Sequence, residues 1–251
     1  GVSNTVKLSS NENPWGPSEK AKQAFRAVAG SLHVYPSSDH AELRAAISEI
    51  HGVDADRVIC SNGSDELISF LCQAYAGPGD EVLFTEHGFL MYKLCAQGAG
   101  ATPVAVAENA RCTDVDALLA AANENTKLVF IANPNNPTGK LLSAEELHQA
   151  VEIADKVGAW LVVDEVYAGL EWTAPRAPSI AGIYERGITT GSVSKALGLQ
   201  GLRTGWLICP DSELIRDAYI LRENSSEIMN VMGEAISEIA LRPERLAKAL
   251  A

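Results

Sequence analysis

From Arg57 to Cys209 the sequence alternates short apolar runs with amphipathic segments, and this alternation limits the open folds more than any other feature. The runs Val58 to Cys60, Glu81 to Thr85, Lys127 to Ala132, Trp160 to Val163, Ile188 to Val193 and Trp206 to Cys209 predict strands. Most lack a polar residue at every second position, so both faces of each strand are expected to be buried. Between them, helices are predicted over Ser64 to Ala76, Phe89 to Ala96, Asp114 to Ala122 and Ser143 to Lys156. The Ser143 helix carries the fullest signature: Ser143-x-x-Glu146 reads as a capping box, Leu147, Val151 and Ala154 share a face, and Gly158 follows its end. The pattern predicts an α/β sheet covered on both faces.

Outside this stretch the chain changes character. Residues 1 to 17 hold Pro14, Gly16 and Pro17 within four positions, which predicts an arm or loop. Helical spacing follows over Ser18 to Ala29 and His40 to His51, where Leu43, Ala46, Ile47 and Ile50 line one face, with an extended link around Tyr35-Pro36 between them. After Cys209 the pattern is helical throughout: Asp211 to Leu221, then Glu227 to Leu241, then a break at Pro243. A formal charge of −12 offers no basic stripe to displace counterions, which argues against nucleic-acid binding. No apolar run approaches the ~18 residues of a membrane span, and the amino end lacks the layout of a secretory signal, so a cytoplasmic location is expected. The five cysteines are scattered and sit mostly in apolar runs, as expected of reduced core thiols.

Four stretches carry chemistry. Ser61-Asn62-Gly63-Ser64-Asp65-Glu66 joins a strand to a helix; free N–H groups at a helix start and a glycine allow close approach of an anion such as phosphate. The Asp65 carboxylate would repel that anion, so its side chain is expected to turn away while its N–H contributes; helix capping by Ser64 or Asp65 is the simpler alternative. Asn133-Pro134-Asn135-Asn136-Pro137-Thr138-Gly139 follows an apolar strand, and its two Asn-Pro steps can hold an amide at the sheet edge or form an ordinary tight loop. Asp164-Glu165-Val166-Tyr167 ends another strand, where a carboxylate needs a cation or proton donor, and a protonated pyridine nitrogen is one such donor. A metal is disfavoured there, because no acidic or histidine partner stands at ligand spacing. Last, Ser192-Val193-Ser194-Lys195 places a lysine among small residues, with Arg203 eight positions on. In an apolar pocket such an amine loses hydration and can attack an aldehyde, while Arg203 and nearby hydroxyls suit a phosphate; a surface lysine is the alternative.

In this order the motifs resemble those of fold-type I pyridoxal-phosphate aminotransferases, nearest the histidinol-phosphate aminotransferase branch. The matching residues are Asn11 to Pro17, Tyr35-Pro36, Gly63 to Glu66, Asn135 to Gly139, Asp164 to Tyr167 and Ser192-x-Ser194-Lys195, with Arg203 at the family spacing. The resemblance implies a three-layer α/β/α large domain with a mostly parallel mixed sheet over 36–220. Residues 1–35 would form an arm and part of a small domain, and 221–251 a helical segment leading into a small domain that is incomplete here. Relatives run on for roughly another hundred residues, which supply the arginine for the substrate carboxylate.

The same resemblance implies pyridoxal 5′-phosphate as cofactor. Lys195 would form the Schiff base and carry the proton, Asp164 would hold the pyridine N–H, and Asn136 and Tyr167 would bond the ring oxygen; Lys195, Asp164 and Tyr167 are the catalytic set. Ser64, the backbone of Gly63 and Asp65, Ser192, Ser194 and Arg203 would hold the phosphate, and Phe89 would stack on the ring. Tyr35 would reach the phosphate of a neighbouring subunit, which implies a homodimer with shared sites. The implied reaction moves an amino group between an amino acid or amino-alcohol phosphate and 2-oxoglutarate. Decarboxylation, cyclisation or elimination on the same cofactor, and cofactor binding without turnover, are the competing expectations.

Overall fold

The computed structural model describes residues 7, 9–136, 138–171, 178–243 and 246. Seven strands form one sheet: β1 (Val58–Ser61), β2 (Glu81–Thr85), β3 (Thr102–Val106), β4 (Thr126–Ala132), β5 (Trp160–Asp164), β6 (Gly187–Ser192) and β7 (Gly205–Ile208), in the order β1-β7-β6-β5-β4-β2-β3. All neighbours run parallel except β7, which is antiparallel to both β1 and β6. Among the described residues, eight α-helices accompany them: α1 (Glu19–Val28), α2 (Ala41–His51), α3 (Ser64–Tyr75), α4 (Leu90–Gly98), α5 (Val115–Ala121), α6 (Ala144–Val157), α7 (Ser212–Glu223) and α8 (Val231–Ala240).

The period-2 alternation of strand side chains divides the core between two faces. Phe84, Leu128, Phe130, Val162 and Ile188 meet Leu67, Leu71, Tyr92 and Leu214 from α3, α4 and α7. Leu83, Val129, Ile131, Leu161 and Val163 meet Leu118, Leu147, Ala150 and Ala154 from α5 and α6. Towards β1 and β7, that second face continues with Val58, Cys60, Trp206 and Ile208 against α1, α2 and α8. The central strands therefore read as unbroken apolar runs because each is covered twice, and the architecture is the expected α/β sandwich of three layers. Four cysteines are buried and none is in a disulfide among the described residues. No helix of the described residues is long and apolar enough to cross a membrane.

The helix over 144–157 starts as its sequence dictates, with both bonds of the Ser143/Glu146 capping box formed and Gly158 at its end. Two departures have local causes. The sequence pattern gives no strand over 102–106, because Pro103 interrupts it; β3 lies at the sheet edge, paired only with β2, where a missing N–H is tolerated. The last predicted helix begins at Val231, not at Glu227: Glu227 has φ 63°, outside helical geometry, and the Asn230 side chain caps the start by accepting from the Gly233 N–H.

Candidate active site

The sheet's topology gathers the chemical motifs on one edge. β4, β5 and β6 all end there, at Ala132, Asp164 and Ser192; β1 ends there at Ser61, since it is parallel to β6 across the antiparallel β7. Because β7 alone runs the other way, its beginning lies at the same edge, with Ser61 and Ser192 both opposite Gly205 and Arg203 just before it. One reversed strand thus brings Arg203 beside residues from strands ending more than a hundred positions apart in sequence. A cavity of about 460 Å³ opens at this edge, lined by Ser64, Asp65, Phe89, Asn136, Asp164, Tyr167, Ser192, Ser194, Lys195 and Arg203 among others.

Asp164 forms the deep end. It is 3% exposed, and burial pushes its carboxyl pKa up, opposed by the donors around it. Its side chain leaves β5 on the same face as Val162, towards α4, where the Tyr92 hydroxyl donates to Oδ2 at 2.7 Å. Thr190, its register partner on β6, donates from Oγ1 to Oδ1 at 3.0 Å, and the Val166 N–H donates to Oδ1 at 3.3 Å. Tyr92 stacks on Phe130, with centroids 4.7 Å apart and planes 9° apart, and meets Phe89 edge-on at 5.9 Å. Phe89 itself is 42% exposed and forms part of the cavity wall.

The opposite end is polar and open. Gly63 has φ 97°, and a Cβ there would sit 2.5 Å from Nη2 of Arg203 and 2.9 Å from Oδ1 of Asp65, so only glycine allows this approach. Gly205 allows the next one, since a Cβ on it would fall 2.2 Å from the Ser64 nitrogen. Both glycines press the start of α3 and its unpaired N–H groups against the beginning of β7. Arg203 adopts φ 54°, rare for a residue with a side chain, and caps the short 3-10 turn over Gln200–Leu202. The expectation that Asp65 turns away is corrected here. Its carboxylate lines the cavity and accepts from Arg203 Nη2 at 2.9 Å through each oxygen, since a guanidinium within reach is its best available partner.

Lys195 lies between the two ends, half-buried. Burial lowers the pKa of its ammonium, Glu12 opposes that shift and Arg203 adds to it. Its Nζ donates to the Ser10 carbonyl at 2.6 Å and lies 5.9 Å from the centre of the Tyr167 ring. The arm reaches into the site: Asn11 donates from Nδ2 to the Tyr167 hydroxyl at 2.7 Å and to Asn136 Oδ1 at 3.5 Å. Tyr167 and Asn136 thus already share one partner. Burial raises the Tyr167 phenol, and the Asn11 amide partly offsets this. The Asn133 side chain braces the loop that follows it by accepting from the Leu142 N–H at 3.0 Å; Pro137 of the same motif lies outside the described residues.

An aminotransferase class I and II profile matches residues 3–250. The chain belongs to that family. Among curated relatives, the histidinol-phosphate aminotransferase of Paracoccus denitrificans is 55% identical over 206 residues, 82% of this chain and 56% of that protein. That of Ruegeria pomeroyi is 48% identical over 246 residues, 97% of this chain and 66% of that protein. The chain therefore spans between about half and two thirds of the length of these relatives. The structure of histidinol-phosphate aminotransferase from Sinorhizobium meliloti in complex with pyridoxal-5′-phosphate superposes with a TM-score of 0.84 at 25% identity, over 96% of this chain and 65% of that one.

Within this member of the class I and II aminotransferase family, every candidate cofactor-site residue of the sequence lines the cavity except Gly63, which shapes it from behind, and Tyr35. Tyr35 is 86% exposed and does not line the cavity. Two residues that line or brace the site belong to no sequence motif, Tyr92 and Thr190, and Asn11 lies in the arm motif without an assigned role there. Tyr92 stands three positions after Phe89, on the same side of the helix start, and Thr190 two before Ser192, on the same strand face. That spacing was the only available signal, and it points to shared orientation without saying what faces it.

Proposed function

We propose that the chain is a pyridoxal 5′-phosphate-dependent aminotransferase acting on an amino-alcohol phosphate of the histidinol-phosphate kind, with 2-oxoglutarate as the amino acceptor. The observation that carries this reading is the convergence on one cavity of a lysine with a lowered pKa, a buried hydrogen-bonded carboxylate and a glycine-backed arginine. These residues fit the cofactor. Gly63 lets the Arg203 guanidinium close on the start of α3, so that a cation and free helix N–H groups converge as an anion requires, and Asp164 is a buried carboxylate suited to a protonated ring nitrogen.

When bound, the cofactor supplies an aldehyde and an electron-withdrawing ring that lets a neighbouring α-carbon release its proton. Lys195 would be the nucleophile for that aldehyde, and burial, which lowers its pKa, favours the neutral amine that such an attack needs. Freed by substrate, the same Nζ takes the α-proton and returns it. Asp164 would accept the ring N–H. Asn136 and Tyr167 would donate to the ring oxygen, and Arg203, Ser64, Ser192, Ser194 and the start of α3 would hold the phosphate, in competition with Asp65 for the guanidinium. Phe89 would cover one face of the ring and exclude water from it. In the same reading Tyr35 serves the site of a second copy, and residues 1–35 and 221–251 belong with a smaller domain.

The test is spectroscopic. Purified protein with pyridoxal phosphate should develop a visible band. L-histidinol phosphate should convert it to the pyridoxamine form, and 2-oxoglutarate should restore it with formation of glutamate. Carbon dioxide release from an amino-acid phosphate, which unlike L-histidinol phosphate carries a carboxylate, without the pyridoxamine form would place the reaction among decarboxylations instead.

A further inference from the structure

We propose that Tyr92 is a positioning residue for the ring nitrogen: with Thr190 it holds Asp164 as a carboxylate, so that the proton shared between them resides on nitrogen. The inference rests on the functional reading above and adds a residue that no motif assigns.

The geometry is restrictive. Tyr92 is 1% exposed, and its ring is held flat on Phe130 and edge-on to Phe89, which fixes the direction of its C–O bond. Burial pushes its phenol pKa well up, so the hydroxyl faces Asp164 as a donor only. A carboxylate oxygen accepts about two hydrogen bonds. Oδ1 already accepts from Thr190 and Val166, whereas Oδ2 accepts from Tyr92 alone. Oδ2 therefore keeps one acceptor site, and Tyr92 determines which lone pair that is.

The energetics point the same way. A carboxylate among apolar side chains favours its neutral form, so burial alone would draw the proton from a pyridinium onto oxygen. Each hydroxyl donor stabilises the anion and opposes that transfer. Removing the Tyr92 hydroxyl tips the balance: the N–H bond breaks, the Oδ2–H bond forms, and a pyridinium–carboxylate pair becomes a neutral pyridine beside a carboxylic acid. No atom leaves. The ring loses the positive charge that makes it strongly electron-withdrawing. A purely structural tyrosine, filling space between Phe89 and Phe130, predicts no such change, because phenylalanine fills the same space.

The experiment uses the whole chain loaded with pyridoxal phosphate carrying nitrogen-15 in the ring. The nitrogen resonance of the unmodified protein should lie in the pyridinium region. In Tyr92→Phe it should move towards neutral pyridine, and cofactor affinity should fall about tenfold, the scale of one hydrogen bond to a charged group. Thr190→Val should shift the resonance in the same direction, which also serves if Tyr92→Phe fails to fold. An unmoved resonance in either folded variant would overturn the proposal. A failure of the functional reading is seen separately, as the absence of a Lys195-linked cofactor signal in the unmodified protein.

Discussion

The two ends of the cavity are built on different principles. At the deep end Asp164 is buried under three donors whose positions follow from strand register and from one helix face. At the open end Arg203 and Asp65 are 48% and 39% exposed and satisfy one another. The first arrangement is fixed before any ligand arrives. The second is an ion pair in partial contact with water, worth about 0–1 kcal/mol, and an arriving dianion can exchange it. In the proposed reading, the rigid end orients the ring and the exchangeable end admits the phosphate.

Lys195 joins the two ends, and its loss should have the largest effect. Lys195→Ala should lower turnover about 10²–10⁴-fold, the range for losing a positioned proton-transfer group, and should abolish the visible cofactor band. Breaking the deep end comes next. Asp164→Ala leaves the Tyr92 and Thr190 hydroxyls facing nothing and removes the partner of a buried cation, so affinity for pyridoxal phosphate should fall about 10²-fold or more by equilibrium dialysis. Gly63→Ala probes the open end alone. Strain at φ 97° and the clash with Arg203 should weaken pyridoxal phosphate about tenfold and leave pyridoxal, which lacks the phosphate, nearly unaffected in competition binding. Asp65→Ala should do the reverse, tightening pyridoxal phosphate about two- to fivefold by freeing Arg203. The smallest effect is on pH. Only the neutral amine reacts, and the Lys195 pKa is lowered, so cofactor linkage should speed up as pH rises through a range below that of free lysine. Glu12→Gln removes the charge opposing that shift and should move the profile further towards low pH in stopped-flow traces.

The contrast between the ends also explains what could be read from the sequence. The central strands were legible because burial on both faces leaves apolar runs without alternation, and the Ser143 helix because its cap is chemically explicit. The residues that meet at the open end were legible too, since they have distinctive local requirements, Gly63 and Arg203 above all. The one error there was Asp65. Repulsion from an anion could be foreseen, whereas attraction to a guanidinium 138 positions away depends on the reversed strand β7. The supports of the deep end were not legible. Tyr92 and Thr190 look like ordinary core and strand residues, and their partnership with Asp164 exists only after β5, β6 and α4 have been packed together. The arm was readable as irregular, but nothing local said that Asn11 would reach Tyr167.

The central claim is that this cavity holds pyridoxal phosphate through Lys195. Incubating the protein with the cofactor, reducing with borohydride and mapping peptides by mass spectrometry tests it most directly. The account predicts a stable phosphopyridoxyl adduct on Lys195 alone, lost in Lys195→Ala. An adduct spread over surface lysines such as Lys20 and Lys93, or none on Lys195, would contradict it.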